Sequence, residues 1–442
     1  MGTRLGERVK QTQKNLRMQA LVTVFDEFDG QIMQLDEEKR GEKYRKMSGN
    51  PFSFFRGSAY LFYFDATREW LPYHTRPDRP TWIQGDLHFE NFGAFHNGKG
   101  ALVFDVNDFD EGYLGSYLYD LMRMSVSIAL VCRLKGFPVS DQTDAITAYL
   151  KAYHKQIRRF ARGKEDPASF VLTEENTEGQ IRKLLKKLEK KKKHHFLEKV
   201  TALLEGTRQF SPSDEIQPAS PEERELLLSA WPAYIDSLED PDRETATYYR
   251  IKDIAVKHGS GTASIGLDRF YALIEGGTEA HGMDDIVLEV KEVRVPIPAY
   301  FMPYNELFWD HYSHQGKRVI MTQRAMHHEA DPFLGYLTLE EREFYVRERS
   351  PYKKRLKLES IERMEDLVTV LGYMGQITAK LHARADADIE NGVLSYHSEQ
   401  EILSAMGEDL DAFCATISQW ALSYANQVEQ DFELFTQWME RR

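Results

Sequence analysis

Residues from about 15 to 48 are polar and charged with helical spacing. The run PFSFFRGSAYLFYFD (Pro51–Asp65) is so dense in aromatic side chains that most of it must be buried. The pattern then changes. TWIQ and ALVF are short apolar runs bounded by glycine-containing turns, which predicts strands. From Ser116 the period lengthens, and Leu118, Leu121, Ser125, Ile128 and Cys132 line one face of a helix. RKLLKKLEKKKKHHFLEK (Arg182–Lys199) reads as a basic helix with a solvated face; contact with an anionic substrate or partner is the sharper reading. SPSDEIQPASPEE (Ser211–Glu223) is the predicted linker. A β-rich block opens near Tyr248. In it VKHGSGTASIGLDRFYALIEGG is a glycine turn followed by alternating strand residues, DIVLEVKEVRV (Asp285–Val295) alternates, and KRVIMTQRAM predicts a further strand. The rest is expected to be helical. One apolar stripe runs through Leu367, Val370, Leu371, Met374, Thr378 and Leu381, another through Leu410, Phe413, Cys414, Ile417, Ala421, Tyr424 and Val428. No internal repeat is visible.

Composition narrows the class. The chain has 442 residues, 42% apolar and 29% charged, which is globular and long enough for two or three domains. A formal net charge of −13 argues against nucleic acid or an anionic membrane as partner, since both carry like charge. The two cysteines, Cys132 and Cys414, lie in apolar helical patterns and suggest no disulfide framework. The first residues lack the apolar core of a signal peptide, and Met124–Cys132 is too short to span a bilayer. The expectation is a cytoplasmic protein.

The chemistry concentrates in WIQGDLHFENFGAFHNGKGALVFDVNDFDEG (Trp82–Gly112). Carboxylates crowded between apolar strands repel one another unless a cation joins them. Asp86 and Asn91 have the spacing of a kinase-type catalytic loop, and Asp108 follows. Asp86 would accept or orient a hydroxyl proton, and Asn91 with Asp108, or Asp105, would hold Mg²⁺, which takes hard oxygen ligands. His88 is a candidate general acid or metal ligand, though holding the loop in shape is the plainer role. Phosphate chemistry also needs a covering loop and a lysine. GSGTASIG supplies Gly259, Gly261, Ser264 and Gly266 on a strand–turn–strand, and Lys291 ends the strand LEVKEV. These parts follow the acidic loop, whereas in ordinary kinases they precede it. The helix ending GQITAKLHARAD (Gly375–Asp386) also comes late, and a circular permutation accounts for all three.

NPFSFFRG, GDLHFENFG, FDVNDFDE, GSGTASIG and LEVKEV together resemble the bacterial DUF2252 family, a group related to protein-kinase-like and aminoglycoside-phosphotransferase folds. The resemblance implies an α+β, two-lobed kinase-like fold, circularly permuted, with a small antiparallel β lobe and a larger helical lobe. The expected parts are residues 1–245 (catalytic and metal loop), 246–330 (nucleotide lobe) and 331–442 (helices returning to the large lobe). It implies Asp86 as catalytic-loop Asp, Asn91 and Asp108 as metal ligands, Asp120 as the anchor of that loop, and Lys291 as the phosphate lysine. The family turn would read GVGSVG; Thr262 and Ala263 depart from it. Glu306, with Glu292 behind it, is the expected partner of Lys291.

Arg56, set among aromatics, needs an anionic partner: a buried Asp, or a substrate phosphate. The adjacent pairs His194–His195 and His327–His328 diverge on any helix and make no natural chelate. The expected activity is ATP- and Mg²⁺-dependent phosphoryl transfer to a hydroxyl acceptor, a small molecule by analogy of fold. Nucleotidyl transfer to protein, a non-catalytic nucleotide-binding module, and a binuclear metallophosphoesterase opening on Asp86-x-His88 are the alternatives.

Overall fold

Capping residues set the first elements of the computed structural model, which describes residues 2–190, 195–239, 248–259, 261–276, 284–349, 353–389 and 392–441. Helix α1 (Gly2–Phe25) runs into a wider helical turn through Ile32. In α2 (Glu37–Met47) the Asp36 carboxylate accepts from Lys39 N, and in α3 (Pro51–Gly57) the Asn50 side chain accepts from Ser53 N. With α4 (Ala59–Ala66) these bring the expected aromatic run into the larger core, where Phe54, Phe55, Tyr60 and Phe62 are buried. Arg17 of α1 donates to both Asp65 and Asp431, which ties this start to the C-terminal helix.

The acidic stretch folds as two small antiparallel pairs: β1 (Thr81–Ile83) with β4 (Tyr113–Gly115), and β2 (Phe92–His96) with β3 (Leu102–Val106). Its acids therefore fall in and between short turns. Helix α5 (Leu118–Leu134) is buried all round, which exceeds the single stripe expected of it. Helices α6 (Val139–Ala161) and α7 (Gly179–Glu189) are amphipathic; the basic α7 buries Ile181, Leu184, Leu185 and Leu188. His194 of the expected histidine pair lies outside the described residues.

After α8 (His195–Val200) and the hairpin of β5 (Thr201–Leu204) and β6 (Thr207–Phe210), the chain enters a second lobe. The expected linker is instead structured. It contains β7 (Ile216–Pro218) and the start of α9 (Pro221–Asp236), whose Ser220 and Glu223 form a reciprocal capping box. The serines, acids and proline that read as linker are helix-start residues. Strands β8 (Ile251–Lys257), β9 (Arg269–Ile274) and β10 (Ile286–Glu292) follow. Then come α10 (Glu306–His311) and α11 (Gln315–Met326). The latter is KRVIMTQRAM, expected as a strand: its β-branched residues sit in a helix because Val319, Ile320, Ala325 and Met326 are buried by tertiary packing. The stretch expected to be all helical holds the hairpin β11 (Gly335–Leu339) and β12 (Arg342–Glu348), where Leu337, Leu339, Phe344 and Val346 alternate inward, and β13 (Lys354–Arg355).

Six strands form one antiparallel sheet in the order β11-β12-β10-β9-β8-β7, drawn from residues 216–348 and so wider than the 246–330 expected. One face packs Leu288, Val290, Phe270 and Val346 against Trp231 and Tyr234 of α9. The other carries Glu289 and Lys291. Helices α12 (Met364–Arg384), α13 (Ser398–Met406) and α14 (Leu410–Met439) return to the larger core, and the predicted stripes of α12 and α14 face it. The protein is α+β. No helix among the described residues is long and apolar enough to cross a membrane.

Candidate active site

The loop after β1 is held from beneath. Its Gln84 and Gly85 N–H groups donate to the Asp120 carboxylate on α5, at 2.6 and 3.0 Å. Asp120 also accepts from His382 Nε2 of α12 at 3.2 Å, and Tyr153 of α6 lies 2.9 Å from His382 Nδ1. Three helices thus fix one turn, a buried and satisfied network. Gly85 has φ +86°, and any Cβ there would overlap the Glu111 carbonyl, so glycine is required. The Gln84 side chain clips the two acidic turns together: Nε2 donates to Asp108 O at 2.8 Å and Oε1 accepts from Asp86 N at 3.0 Å. Asn91 Nδ2 donates to Asp86 O at 2.9 Å, which leaves its Oδ1 as the group it offers to the cleft.

Asp86 sits against Arg123, a fully buried guanidinium whose Nε donates to Oδ1 at 2.7 Å. Burial pushes the Asp86 carboxyl up, Arg123 pulls it back, and the balance lies at about 6. His88 is buried, and burial with the neighbouring Arg56 keeps its imidazole neutral, well below its usual range. Its Nδ1 accepts from Glu90 N at 3.2 Å, the loop-shaping role. Arg56 pairs with Glu90 rather than a buried Asp, and packs over the Phe52 ring. Glu111 closes the floor: burial raises its carboxyl to about 7 although Ile297 N donates to it.

The sheet lobe supplies the facing wall. Lys291 of β10, Gly261, Thr262 and Ser264 line the same cleft as Asp86, His88, Asn91 and Asp108. Lys291 Nζ is paired with Asp110. Burial raises the Asp110 carboxyl, but the lysine outweighs it and the group lies below its ordinary value. Asp110 Oδ1 is buried with no hydrogen-bond partner among the described residues. The Asp108 side chain lines the cleft and makes no hydrogen bond among the described residues, while its carbonyl accepts from Gln84 Nε2. From α11, Arg318 donates to Gly112 O and Arg294 O at 2.9 and 3.0 Å, which clamps the acidic turn to the sheet lobe.

Four expected site residues lie elsewhere. Asp105 is a core residue: Lys380 Nζ stands 2.6 Å from its Oδ2, and Val106 N donates to its Oδ1 at 2.8 Å, so its oxygens are already satisfied. Glu306 is exposed at the start of α10 and does not reach Lys291, whose partner is Asp110. Its understudy Glu292 is engaged by Asp268 N. Gly259 is an exposed turn residue near Glu215. Gly266 is needed for its own backbone, at φ +84° with Leu35 pressed against the position of a Cβ, and not for phosphate approach. Arg123, Asp110 and Glu111 escaped the sequence reading. A lone arginine in the apolar run LYDLMRMSVSIALV was the signal for the first.

A family model described as "Uncharacterized protein conserved in bacteria (DUF2252)" matches residues 35–438. The chain belongs to the DUF2252 family. The matched span contains the acidic turns and the Lys291 strand of the cleft; of the lining residues, Ile32 and Met33 precede it. No curated protein and no solved structure matches the chain.

Proposed function

We propose that this DUF2252 protein is an ATP- and Mg²⁺-dependent phosphotransferase of kinase-like, circularly permuted design, acting on a hydroxyl-bearing small molecule. The observation that carries the reading is the meeting, across one cleft, of a sheet lysine with Asp86, Asn91 and Asp108, although the lysine follows them by most of the chain's middle. The order of those parts, with the acidic loops before the lysine strand, supports permutation.

The donors fit magnesium. Asn91 Oδ1 and the Asp108 carboxylate are hard oxygens that make no hydrogen bond among the described residues, and Asp110, which lines the same cleft, has a buried Oδ1 likewise without a partner among them. When bound, Mg²⁺ neutralises charge on nucleotide phosphates. The residues of the chain do the rest. Asp86, poised near 6, accepts the proton of an acceptor hydroxyl at neutral pH, and Arg123 fixes its orientation. Lys291 offers a positive charge to phosphate oxygens and exchanges part of its bond to Asp110 for them. The 261–264 turn covers them from the sheet side. The metallophosphoesterase alternative loses support, because Asp105 is spent on Lys380.

The test is label transfer. With γ-labelled ATP and Mg²⁺, label should reach a small hydroxyl acceptor or water, and Asp86→Asn should lower the rate about 10²–10⁴-fold. Label arriving only from α-labelled ATP would assign nucleotidyl transfer instead. Equal rates for wild type and Asp86→Asn would remove Asp86 from the chemistry.

A further inference from the structure

Past α12 the chain turns and starts α13, and there a second set of ligating side chains gathers, outside the cleft. We propose that Asp386, His397 and Glu399 form a structural site for a divalent transition metal of the zinc class. One ligand atom from each lies within 4.8 Å of the others. Asp386 Oδ2 and His397 Nδ1 are 3.8 Å apart. Two ligands at about 2.1 Å from one tetrahedral ion stand about 3.4 Å apart, so a small contraction closes the set.

The independent observation is Glu399. It is only 8% exposed, its carboxyl lies within hydrogen-bonding reach of Asp386, which is 1% exposed, and its Oε2 is buried with no partner among the described residues. The helix start explains Asp386, which accepts N–H groups from Asp388 and Ser398 at 3.1 and 2.8 Å. Among the described residues no N–H of that helix start donates to Glu399 Oε2. Two buried carboxyls in contact need a positive charge or a shared proton between them. His397, with a half-exposed side chain, supplies a nitrogen ligand and an entry path; Asp388 Oδ1, 3.9 Å from His397 Nδ1, stands at the open side. A nitrogen and two carboxylate oxygens suit Zn²⁺ better than Mg²⁺, which prefers oxygen and water. The ion would pin the segment that leaves α12 to the start of α13.

The full-length protein is stripped with EDTA and titrated calorimetrically with ZnCl₂, alongside His397→Ala, Glu399→Gln and Asp108→Ala. The site predicts one tight equivalent with a raised Tm in wild type and in Asp108→Ala, and loss of both the equivalent and the Tm rise in His397→Ala and Glu399→Gln. Circular dichroism of the variants confirms that they fold; His397 is exposed enough that its replacement leaves the core alone. The proposal is overturned if wild type takes up no equivalent, or if the two variants keep it. A shared proton would appear as no zinc uptake with Glu399→Gln more stable than wild type, and that too overturns it. Because Asp108→Ala serves as the control, failure here leaves the reading of the cleft standing.

Discussion

Asp105 and Asp110 lie in one acidic stretch, and each is paired with a lysine from far along the chain, yet they do opposite work. Asp105 meets Lys380 in the core, where Lys380 also donates to Met326 O and Val106 N donates to Asp105. Both Asp105 carboxylate oxygens thus have a partner. Asp110 meets Lys291 at the edge of the cleft and keeps one buried oxygen without a partner among the described residues. The first pair is a closed structural element. The second lines the cleft, and under the proposed function a phosphate or a cation would complete it. Satisfaction of lone pairs, and not residue type, separates a core carboxylate from a site carboxylate.

The largest expected effect breaks that comparison if it fails. Asp105→Ala strands Lys380 in the interior and should cost about 3–5 kcal/mol. Asp110→Ala also unpairs a buried lysine, but one that lines the cleft, and should cost less than Asp105→Ala. Urea unfolding of both variants measures the difference; equal losses would mean that the two pairs are the same kind of element.

A third acid of the stretch sharpens the point through pH. Glu111 has no cation bonded to it, and its folded pKa of about 7 is raised above an ordinary glutamate near 4.5. A raised carboxyl favours the folded state at low pH, and that contribution is lost as pH climbs from about 4.5 to about 7. Glu111→Gln does not titrate and still accepts from Ile297 N. Its stability relative to wild type should therefore grow across that window by on the order of 3 kcal/mol and stay level above it. Thermal unfolding from pH 4 to 8 reads the gap, and a gap that stays constant would show that Glu111 is not raised.

Next in size is the acid limb of activity. Under the proposed function, Asp86 near 6 would set the pH below which transfer falls, with Arg123 holding it down. Arg123→Lys keeps a charge but loses the planar fork, so the limb in kcat/KM should move upward from about 6. An unmoved limb would detach Asp86 from the pH profile. The smallest effect concerns the sheet lobe alone: Ser220→Ala removes half of a capping box and should cost about 1 kcal/mol without touching nucleotide binding. A change in binding would mean that the lobe moves as one piece with its cap.

Much of this was legible in sequence, for stated physical reasons. The stripes of α12 and α14 have the 3.6 period of a one-faced helix, and they pack as that period demands. The acidic loops and the Lys291 strand were visible because their residue types are rare at such spacing. The partners were not. Asp105 and Lys380 are 275 residues apart, Lys291 and Asp110 are 181 apart, and no local pattern couples them. The strand β12 hid behind its charged ends, and α11 looked like a strand because burial on several sides erases periodicity. Glu306 was the expected partner of Lys291 by analogy with kinases, but α10 places it at the surface.

The most direct measurement of the central claim is nucleotide-dependent stabilisation. Melting curves of wild type, Lys291→Met and Asp108→Ala are recorded with and without ATP and Mg²⁺. Ligand at about 100 times its Kd adds about 2.7 kcal/mol to a protein that binds it only when folded. The account predicts a clear rise in Tm for wild type that needs both ATP and Mg²⁺, and its loss in both variants. A wild-type Tm that ATP and Mg²⁺ leave unchanged, or a rise that persists in both variants, would contradict it.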